Sequence, residues 1–290
     1  MGNHEDILIK KASGKEEYFS FQKLRNSLIK SNATFDEAED IVQSLKGQIH
    51  QGISTKKIYS MAFRLLKKQS TDNASRYYLK QGIMELGPSG FPFEKYIAEL
   101  FKAEGHATEN GVILQGNCVT HEIDVICRKD DTIMLMECKY KNIGGISVDV
   151  KVPLYIHSRF QDIVEHGKIF EFHKNFKGWI VTNSRFTDDA LKFGKCRGIN
   201  LLGWDYPKTK SLKDIIDETG LYPITCLATL TQVEKNVFLE RGVVLARDIC
   251  KNRRIFERLG TKNTRIEAIM KESEKLCSKI PSQKSNFGLK

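Results

Sequence analysis

The spacing of apolar residues changes character along the chain and divides it into three segments. In the middle segment, residues 88–220, short apolar runs alternate with amphipathic stretches, which is typical of a sheet with helices on its faces. The predicted strands are GVILQG, EIDVIC, TIMLMECKY, GWIVTN and NLLGWD. The predicted helices are FEKYIAELFKAEG, SRFQDIVEHGKIFEFHK and DDALKFGKCRG, the last one capped by Thr187. We therefore expect an α/β domain here.

The first segment, residues 1–87, begins with two short predicted strands around a turn at Ser13 and Gly14. About four helices follow, and the last, ASRYYLKQGIMEL, is expected to end at Gly87. The residues suited to capping these helices at their N-termini are Ser20, Thr34 in a capping box with Glu37, and Thr55. The pattern predicts a β-hairpin followed by a helical bundle.

The third segment, residues 221–290, is predicted to be helical. Three amphipathic stretches are separated by Gly242 and Gly260. Taken together, the segments predict an α+β multidomain chain: an N-terminal β-hairpin plus helices at 1–87, a central α/β domain at 88–220 and a small helical domain at 221–290.

Charged residues interrupt two of the apolar runs in the central segment. Asp124 lies in EIDVIC, and Glu137 and Lys139 lie in TIMLMECKY. Because side chains alternate between the faces of a strand, Glu137 and Lys139 project the same way. The two strands can pair as a hairpin, so Asp124 can reach the same sheet edge.

Two carboxylates at such close range repel each other, and a divalent cation relieves the repulsion. Carboxylate oxygens with water suit Mg²⁺, or Mn²⁺, and a lysine beside the metal can orient water and stabilise charge on a phosphate. We expect Asp124 and Glu137 to hold the metal and Lys139 to act in phosphodiester hydrolysis. A solvated strand face is the alternative.

These positions resemble the PD-(D/E)xK nucleases, in which an Asp on one strand precedes (D/E)xK on the next. The resemblance covers about residues 88–210, and its later strand–helix–strand part resembles the Mrr-like restriction endonucleases. Its later part rests on Val181, Thr182, Asn183, Phe186, Thr187, Ala190, Gly198, Ile199 and Leu201. It implies a further role near the metal for Glu94. His121 is expected either near the metal or phosphate or as a structural hydrogen-bonding residue, and Gln161 is expected to support the site.

The first segment resembles the ATP-cone, a nucleotide-binding regulatory domain. The resemblance covers about residues 6–87, with GISTKKIY and ASRYYL as its later parts. Its opening pattern is carried by Ile9, Lys10, Lys11, Gly14, Phe19, Lys23 and Leu24. It implies binding of ATP or dATP, with Lys10, Lys11 and Lys23 on the phosphates, Thr55 hydrogen-bonding the nucleotide and Tyr59 near the base. A basic helical domain that binds no nucleotide, or binds nucleic-acid phosphates, is the alternative.

The net charge of +10 is concentrated near the C-terminus. Residues 221–290 carry 14 Lys and Arg against 7 Asp and Glu. Solubility alone could explain the excess, but clustered basic residues also favour a polyanionic partner. Arg253, Arg254 and Arg258 are the expected DNA contacts, because these helices resemble helix-hairpin-helix modules. A solvated helical bundle is the alternative.

Composition limits the cellular setting of the protein. No apolar run of the 290 residues approaches the roughly 20 needed to span a bilayer, and the N-terminus lacks the apolar core of a signal peptide. Seven cysteines occur without a CxxC pair, which argues against a zinc site or a disulfide framework. We expect a cytoplasmic protein without a membrane partner.

We predict a metal-dependent DNA endonuclease that is regulated by ATP or dATP. One alternative is a non-catalytic, nucleotide-responsive DNA-binding regulator, although the chain lacks a zinc ribbon of the reductase-repressor type. Another is a nuclease that acts on RNA or single strands, since a metal site contacts only phosphate. Cutting both strands of a duplex requires two active sites, so a homodimer is expected.

Overall fold

The computed structural model describes residues 7–278 of the chain. They form two compact units. One unit combines the described residues of Met1–Ile83 and Tyr222–Lys279, and the other contains Met84–Leu221. Within the described part of the chain, no helix is both long and apolar enough to cross a membrane.

The first unit opens with a β-hairpin followed by five helices. Strands β1 (Leu8–Lys10) and β2 (Glu16–Tyr18) pair antiparallel. The helices are α1 (Phe21–Ile29), α2 (Phe35–Lys46), α3 (Thr55–Gln69), α4 (Thr71–Tyr77) and α5 (Leu79–Met84). Ser20 caps α1, and Thr34 and Glu37 form the predicted capping box of α2. Their apolar faces form one core, which includes Leu28, Val42 and Leu66.

Two expectations for these helices are wrong in detail. The side chain that caps α3 belongs to Ser54, not to Thr55, which is already the first helical residue. The fourth predicted helix divides into α4 and α5, because the chain turns at Tyr78.

The second unit contains the predicted sheet. Its strands are β3 (Ala107–Gln115), β4 (Thr120–Lys129), β5 (Thr132–Lys139), β7 (Asn175–Thr182) and β9 (Asn200–Leu202), in the order β3-β4-β5-β7-β9. Strands β3, β4 and β5 pair antiparallel, whereas β5, β7 and β9 pair parallel. A two-residue turn at Asp130 and Asp131 joins β4 to β5, and Asp130 adopts a φ of +50° there. Strands β6 (Ser147–Val148) and β8 (Arg185–Phe186) form a separate two-stranded parallel sheet. The mixed sheet confirms the predicted α/β character of this region.

Helices accompany the sheet. They are α6 (Phe91–Ala103), α7 (Lys151–His166), α8 (Asp188–Cys196) and α9 (Leu212–Thr219), with a 3-10 turn at Lys168–Phe170. Thr187 caps α8 as predicted. The expected helix SRFQDIVEHGKIFEFHK differs from α7, which begins seven residues earlier at Lys151 and ends at Gly167, where φ is +83°. Ile156, Phe160 and Ile163 of α7 pack into the core beneath the sheet.

The last helices belong to the first unit. They are α10 (Gln232–Glu240), α11 (Arg254–Arg258) and α12 (Asn263–Cys277), with 3-10 turns at Ile224–Cys226 and Ala246–Asn252. The amphipathic stretch between Gly242 and Gly260, which was expected to be helical, is therefore divided into a 3-10 segment and the short α11. The division into three domains remains a prediction; in the structure, its first and last segments share one compact unit.

Buried polar contacts join the two parts of this unit. The Glu272 carboxylate on α12 is 4% exposed and accepts hydrogen bonds from the backbone of Ala228 at 2.6 Å and of Thr229 at 3.0 Å. Ser75 on α4 donates to the same carboxylate. A buried carboxylate needs such donors, so Glu272 fixes α12 against α4.

Candidate active site

The central sheet opens into a fork where β4 and β5 separate. Their pairing ends at Val125 and Met136, whereas β5 continues beside β7 as far as Lys139. The first half of β4 stays paired with β3 instead. The fork therefore lies between two strands that each carry predicted site residues.

Asp124 stands at the point where β4 leaves β5. Its Oδ2 accepts a hydrogen bond of 2.7 Å from the backbone N–H of Cys138, a group that β4 no longer pairs. Burial, and then the charge of Glu137, raise the pKa of Asp124 to about 6, against a lowering by the Cys138 hydrogen bond. The two carboxylates thus share one electrostatic environment.

Glu137 is buried because β5 is the middle strand of the sheet. It is 4% exposed. Its Oε1 lies 2.5 Å from Nζ of Lys139, and its Oε2 lies 2.7 Å from Nη1 of Arg159. Two cations therefore balance a carboxylate that would otherwise be costly to bury.

Arg159 on α7 bridges the fork. Its Nη1 contacts Glu137 on β5, and its Nη2 donates to the backbone carbonyl of Glu122 on β4. The guanidinium also lies 5.6 Å from the ring centroid of Tyr155, one helical turn earlier. One side chain thus connects α7 to both separated strands.

Glu94 projects from the first turn of α6 and is half-buried. Burial raises its pKa to about 7, and the charges of Asp124, Glu122 and Glu137 add to that effect. The structure therefore brings Glu94 within electrostatic range of the two strand carboxylates.

A second polar cluster connects α7 to the turn between β3 and β4. Asp162 accepts backbone hydrogen bonds from Cys118 at 2.8 Å and Val119 at 3.3 Å. Nε2 of His121 lies 2.7 Å from Oδ2 of Asp162. The hydrogen bond to His121 is the largest of the contacts that lower the pKa of Asp162 to about 2. The structure thus places His121 against Asp162, while the neighbouring Gln161 is exposed.

An open cleft of about 510 Å³ runs along α7 between these two clusters. We call it the α7 cleft. It is lined by Cys118, Val119, His121, Tyr155, His157, Ser158, Arg159, Gln161, Asp162 and Glu165. Tyr155 is 63% exposed, so an aromatic ring and a guanidinium face the cleft together.

The donor set at the fork suits a hard cation. Asp124 and Glu137 supply carboxylate oxygens, which are the ligands that Mg²⁺ prefers, and Mg²⁺ is often held by only one or two carboxylates plus water. Within residues 7–278, no three or more His, Cys, Asp and Glu side chains form a group that could hold a metal ion. Asp124 and Glu137 are the residues that would hold such a cation.

The predicted nucleotide-binding residues lie on or next to β1 and on helices α1 and α3. Lys10 on β1 forms a parallel backbone β-bridge with Ser54, the cap of α3. The ammonium of Lys11 forms a salt bridge of 2.6 Å with Glu17. Lys23 lies in the first turn of α1. Tyr59 stacks on Tyr77 with ring centroids 4.7 Å apart and donates its hydroxyl to the Tyr77 carbonyl. The ring of Tyr59 is thus already in contact with another aromatic residue.

The predicted DNA-contacting arginines lie around α11. Arg253, Arg254 and Arg258 are all exposed. Arg253 pairs with Glu267 on α12 at 2.9 Å, which neutralises part of its charge. The three exposed residues flank Ile255 and Phe256, which are buried.

Sequence reasoning missed Arg159 and Asp162. Both lie on the predicted helix SRFQDIVEH, three residues apart, on either side of the buried Phe160. Residues three apart share a helix face, which was the available signal. It could not show that this face meets the fork and the β3–β4 turn.

Comparisons with known proteins are consistent with this geometry. Residues 87–206 match the family described as restriction endonuclease, and residues 222–277 match the family described as AF1548-like, C-terminal. An uncharacterized protein of Archaeoglobus fulgidus is 36% identical over 156 residues, which are 53% of this chain and 83% of that protein. The crystal structure of AF1548, a protein of unknown function, matches with a TM-score of 0.54 and 30% identity, over 66% of this chain and 99% of that one.

The restriction endonuclease match confirms the predicted resemblance over the sheet-containing unit and indicates a nuclease. The C-terminal match adds a region that the sequence pattern did not identify as a family of its own. The resemblance of residues 6–87 to the ATP-cone stays a prediction.

Proposed function

We propose that this chain, which belongs to the family of the Archaeoglobus relative and matches the restriction endonuclease model over residues 87–206, is a metal-dependent endonuclease that hydrolyses DNA. The observation that carries the proposal is the fork: Asp124, Glu137 and Lys139 meet there on two separating strands. Phosphodiester hydrolysis requires two things. The negative charge that develops on the phosphate must be stabilised, and a water molecule must lie in line with the leaving oxygen.

Each residue at the fork has a distinct role in this proposal. Asp124 and Glu137 would hold Mg²⁺ or Mn²⁺, which supplies Lewis-acid stabilisation of charge at the phosphate. Lys139 orients the attacking water and faces the phosphate with its ammonium. Glu94, with its pKa raised to about 7, can accept or donate a proton near neutral pH.

Substitution of the carboxylates tests this assignment. We expect Glu137→Gln and Asp124→Asn to reduce cleavage of supercoiled plasmid in Mg²⁺ by at least about 100-fold, as removal of a charge-stabilising group typically does. Glu109→Gln is the matched control, because Glu109 on β3 is exposed and forms a surface ion pair with Arg128. Equal cleavage by the wild type, the two site variants and the control would show that Asp124 and Glu137 take no part in hydrolysis.

Nucleotide control is the second part of the proposal. Lysine side chains and the N-terminus of a helix such as α3 both favour a phosphate group. We expect ATP or dATP to raise the melting temperature of the wild-type protein, and Lys10→Ala with Lys23→Ala to remove that shift. The control is Lys102→Ala, at an exposed position on α6. An unchanged melting temperature at millimolar nucleotide would leave the region without a nucleotide role.

The C-terminal helices supply the proposed grip on DNA. Arg253, Arg254 and Arg258 are exposed and can neutralise phosphates without reading sequence. A non-catalytic DNA-binding regulator and a nuclease for RNA or single strands are the competing functions. Binding without cleavage would favour the first, and faster cleavage of RNA or single strands than of duplex would favour the second. A homodimer would provide the two active sites that a double-strand cut requires.

A further inference from the structure

The guanidinium of Arg159 contacts both strands that carry the proposed metal ligands Asp124 and Glu137. It spans from the carbonyl of Glu122 on β4 to Oε2 of Glu137 on β5. Asp124 lies on the same strand as Glu122, only two residues away. The side chain therefore joins the two strands at the place where their carboxylates would converge on a cation.

Both oxygens of Glu137 are engaged within the chain. Lys139 contacts Oε1 at 2.5 Å and Arg159 contacts Oε2 at 2.7 Å. A divalent ion at Glu137 would face two positive charges at contact distance, and in a site this buried the repulsion is large. Withdrawal of one of the two cations would relieve this repulsion, and in the proposed mechanism Lys139 stays at the site to act in hydrolysis.

Arg159 has a place to move to. It lines the α7 cleft, and its side chain is 13% exposed, whereas the side chain of Glu137 is 6% exposed. Tyr155 beside it is 63% exposed and already lies under the guanidinium. A planar guanidinium binds phosphate with two parallel hydrogen bonds, so a DNA phosphate entering the cleft offers it a second anionic partner.

We propose that Arg159 is a positioning residue that acts as an internal counter-ion: it occupies Glu137 in the free protein and transfers to a DNA phosphate, which opens the fork to the metal. This inference rests on the proposed nuclease function. Its consequence is that metal and DNA bind cooperatively, because each removes an obstacle to the other. The free protein would then bind the catalytic metal weakly and load it with its substrate.

The test is the affinity of the DNA-free, full-length protein for Mn²⁺, measured by titration calorimetry. We expect Arg159→Met to bind Mn²⁺ at least about tenfold more tightly than the wild type. In the wild type the guanidinium occupies Glu137 in most molecules, and the variant has no guanidinium to do so. Arg159→Lys, which cannot span both strands, should gain less. Arg128→Met is the matched control, since Arg128 pairs with Glu109 at the surface of the same sheet, and it should gain nothing.

A second measurement separates gating from a structural role. In plasmid cleavage, Arg159→Met should reach its half-maximal rate at a lower Mg²⁺ concentration but at a higher DNA concentration than the wild type. A loosened fold would not shift the two concentrations in opposite directions. If melting curves show that Arg159→Met fails to fold, Arg159→Lys is judged by the same two criteria.

The outcomes distinguish this inference from the proposed function. Equal Mn²⁺ affinity in the wild type and the Arg159 variants, with cleavage still abolished by Glu137→Gln, overturns the counter-ion role and leaves the nuclease intact. Absence of Mn²⁺ binding and of cleavage in every protein overturns both.

Discussion

At the scale of single residues, two carboxyl groups around the fork, those of Glu94 and Asp124, have raised pKa values. The pKa of Glu94 is raised to about 7, mainly by burial and then by the charge of Asp124. The folded protein therefore binds a proton that the unfolded chain releases between about pH 4.5 and 7. By linkage, Glu94 contributes stability below its unfolded pKa, and this contribution is lost as the pH rises through 7.

Replacement of Glu94 by Gln tests this pH dependence. Gln cannot ionise, so we expect the variant to gain about 1–2 kcal/mol in free energy of unfolding relative to wild type between pH 5 and pH 8, after a discount for the partial exposure of the site. Denaturant unfolding at both pH values measures the difference. Glu99→Gln on the same helix is the control, and an identical change in both variants would refute the burial of charge at Glu94.

The sequence pointed to the strand residues of the site and to Glu94 on α6, but not to Arg159 and Asp162 on α7. The meeting of Asp124, Glu137 and Lys139 follows from the alternation of side chains and from a short hairpin, both of which are local. Arg159 reaches the fork only because α7 packs across the sheet. That packing depends on contacts made by Ile156 and Phe160, which no local rule encodes.

At the scale of elements, a glycine lets α5 approach the 3-10 turn at Ile224–Cys226. A Cβ at Gly82 would lie 2.6 Å from Sγ of Cys226 and 3.2 Å from its backbone nitrogen. Thr225 Oγ1 donates to the Gly82 carbonyl at 2.6 Å, so the turn cannot simply withdraw. This close approach holds the C-terminal segment of the unit on its N-terminal helices.

Gly82→Ala should therefore lower the free energy of unfolding of this unit by about 1–3 kcal/mol, as overpacking usually does. Gly47→Ala is the matched control, because Gly47 ends α2 with a φ of −79° and a Cβ there would meet nothing within 4 Å. We expect the control to be neutral or slightly stabilising. Thermal unfolding of both variants makes the comparison, and equal stability would show that the two segments do not pack this closely.

Element boundaries were predictable where a cap is specified by its own residues. Thr34 and Glu37 form the expected capping box, and Thr187 caps α8. The cap of α3 was misplaced by one residue because Ser54 and Thr55 both carry suitable hydroxyls. The break at Ala246–Asn252 followed no glycine or proline, so the helical periodicity around it gave no warning.

At the scale of the whole molecule, the sequence divided the chain at about residues 87 and 220. The structure joins residues 7–83 and 222–278 in one unit and leaves the sheet in the other. Pairing between distant segments depends on side chains such as Glu272 and Ser75, which are 197 residues apart. Patterns within a short window cannot specify such partners.

The central claim is that the fork hydrolyses phosphodiesters with Lys139 as a participant. The most direct measurement is the single-turnover rate of cleavage of a labelled DNA duplex in saturating Mg²⁺ by wild type, Lys139→Ala and the exposed control Lys102→Ala, with DNA binding measured in the same samples. The account predicts that Lys139→Ala binds DNA but loses cleavage by at least about 100-fold, while the control matches wild type. Cleavage by Lys139→Ala at the wild-type rate, or DNA binding by the wild type without cleavage, would contradict it.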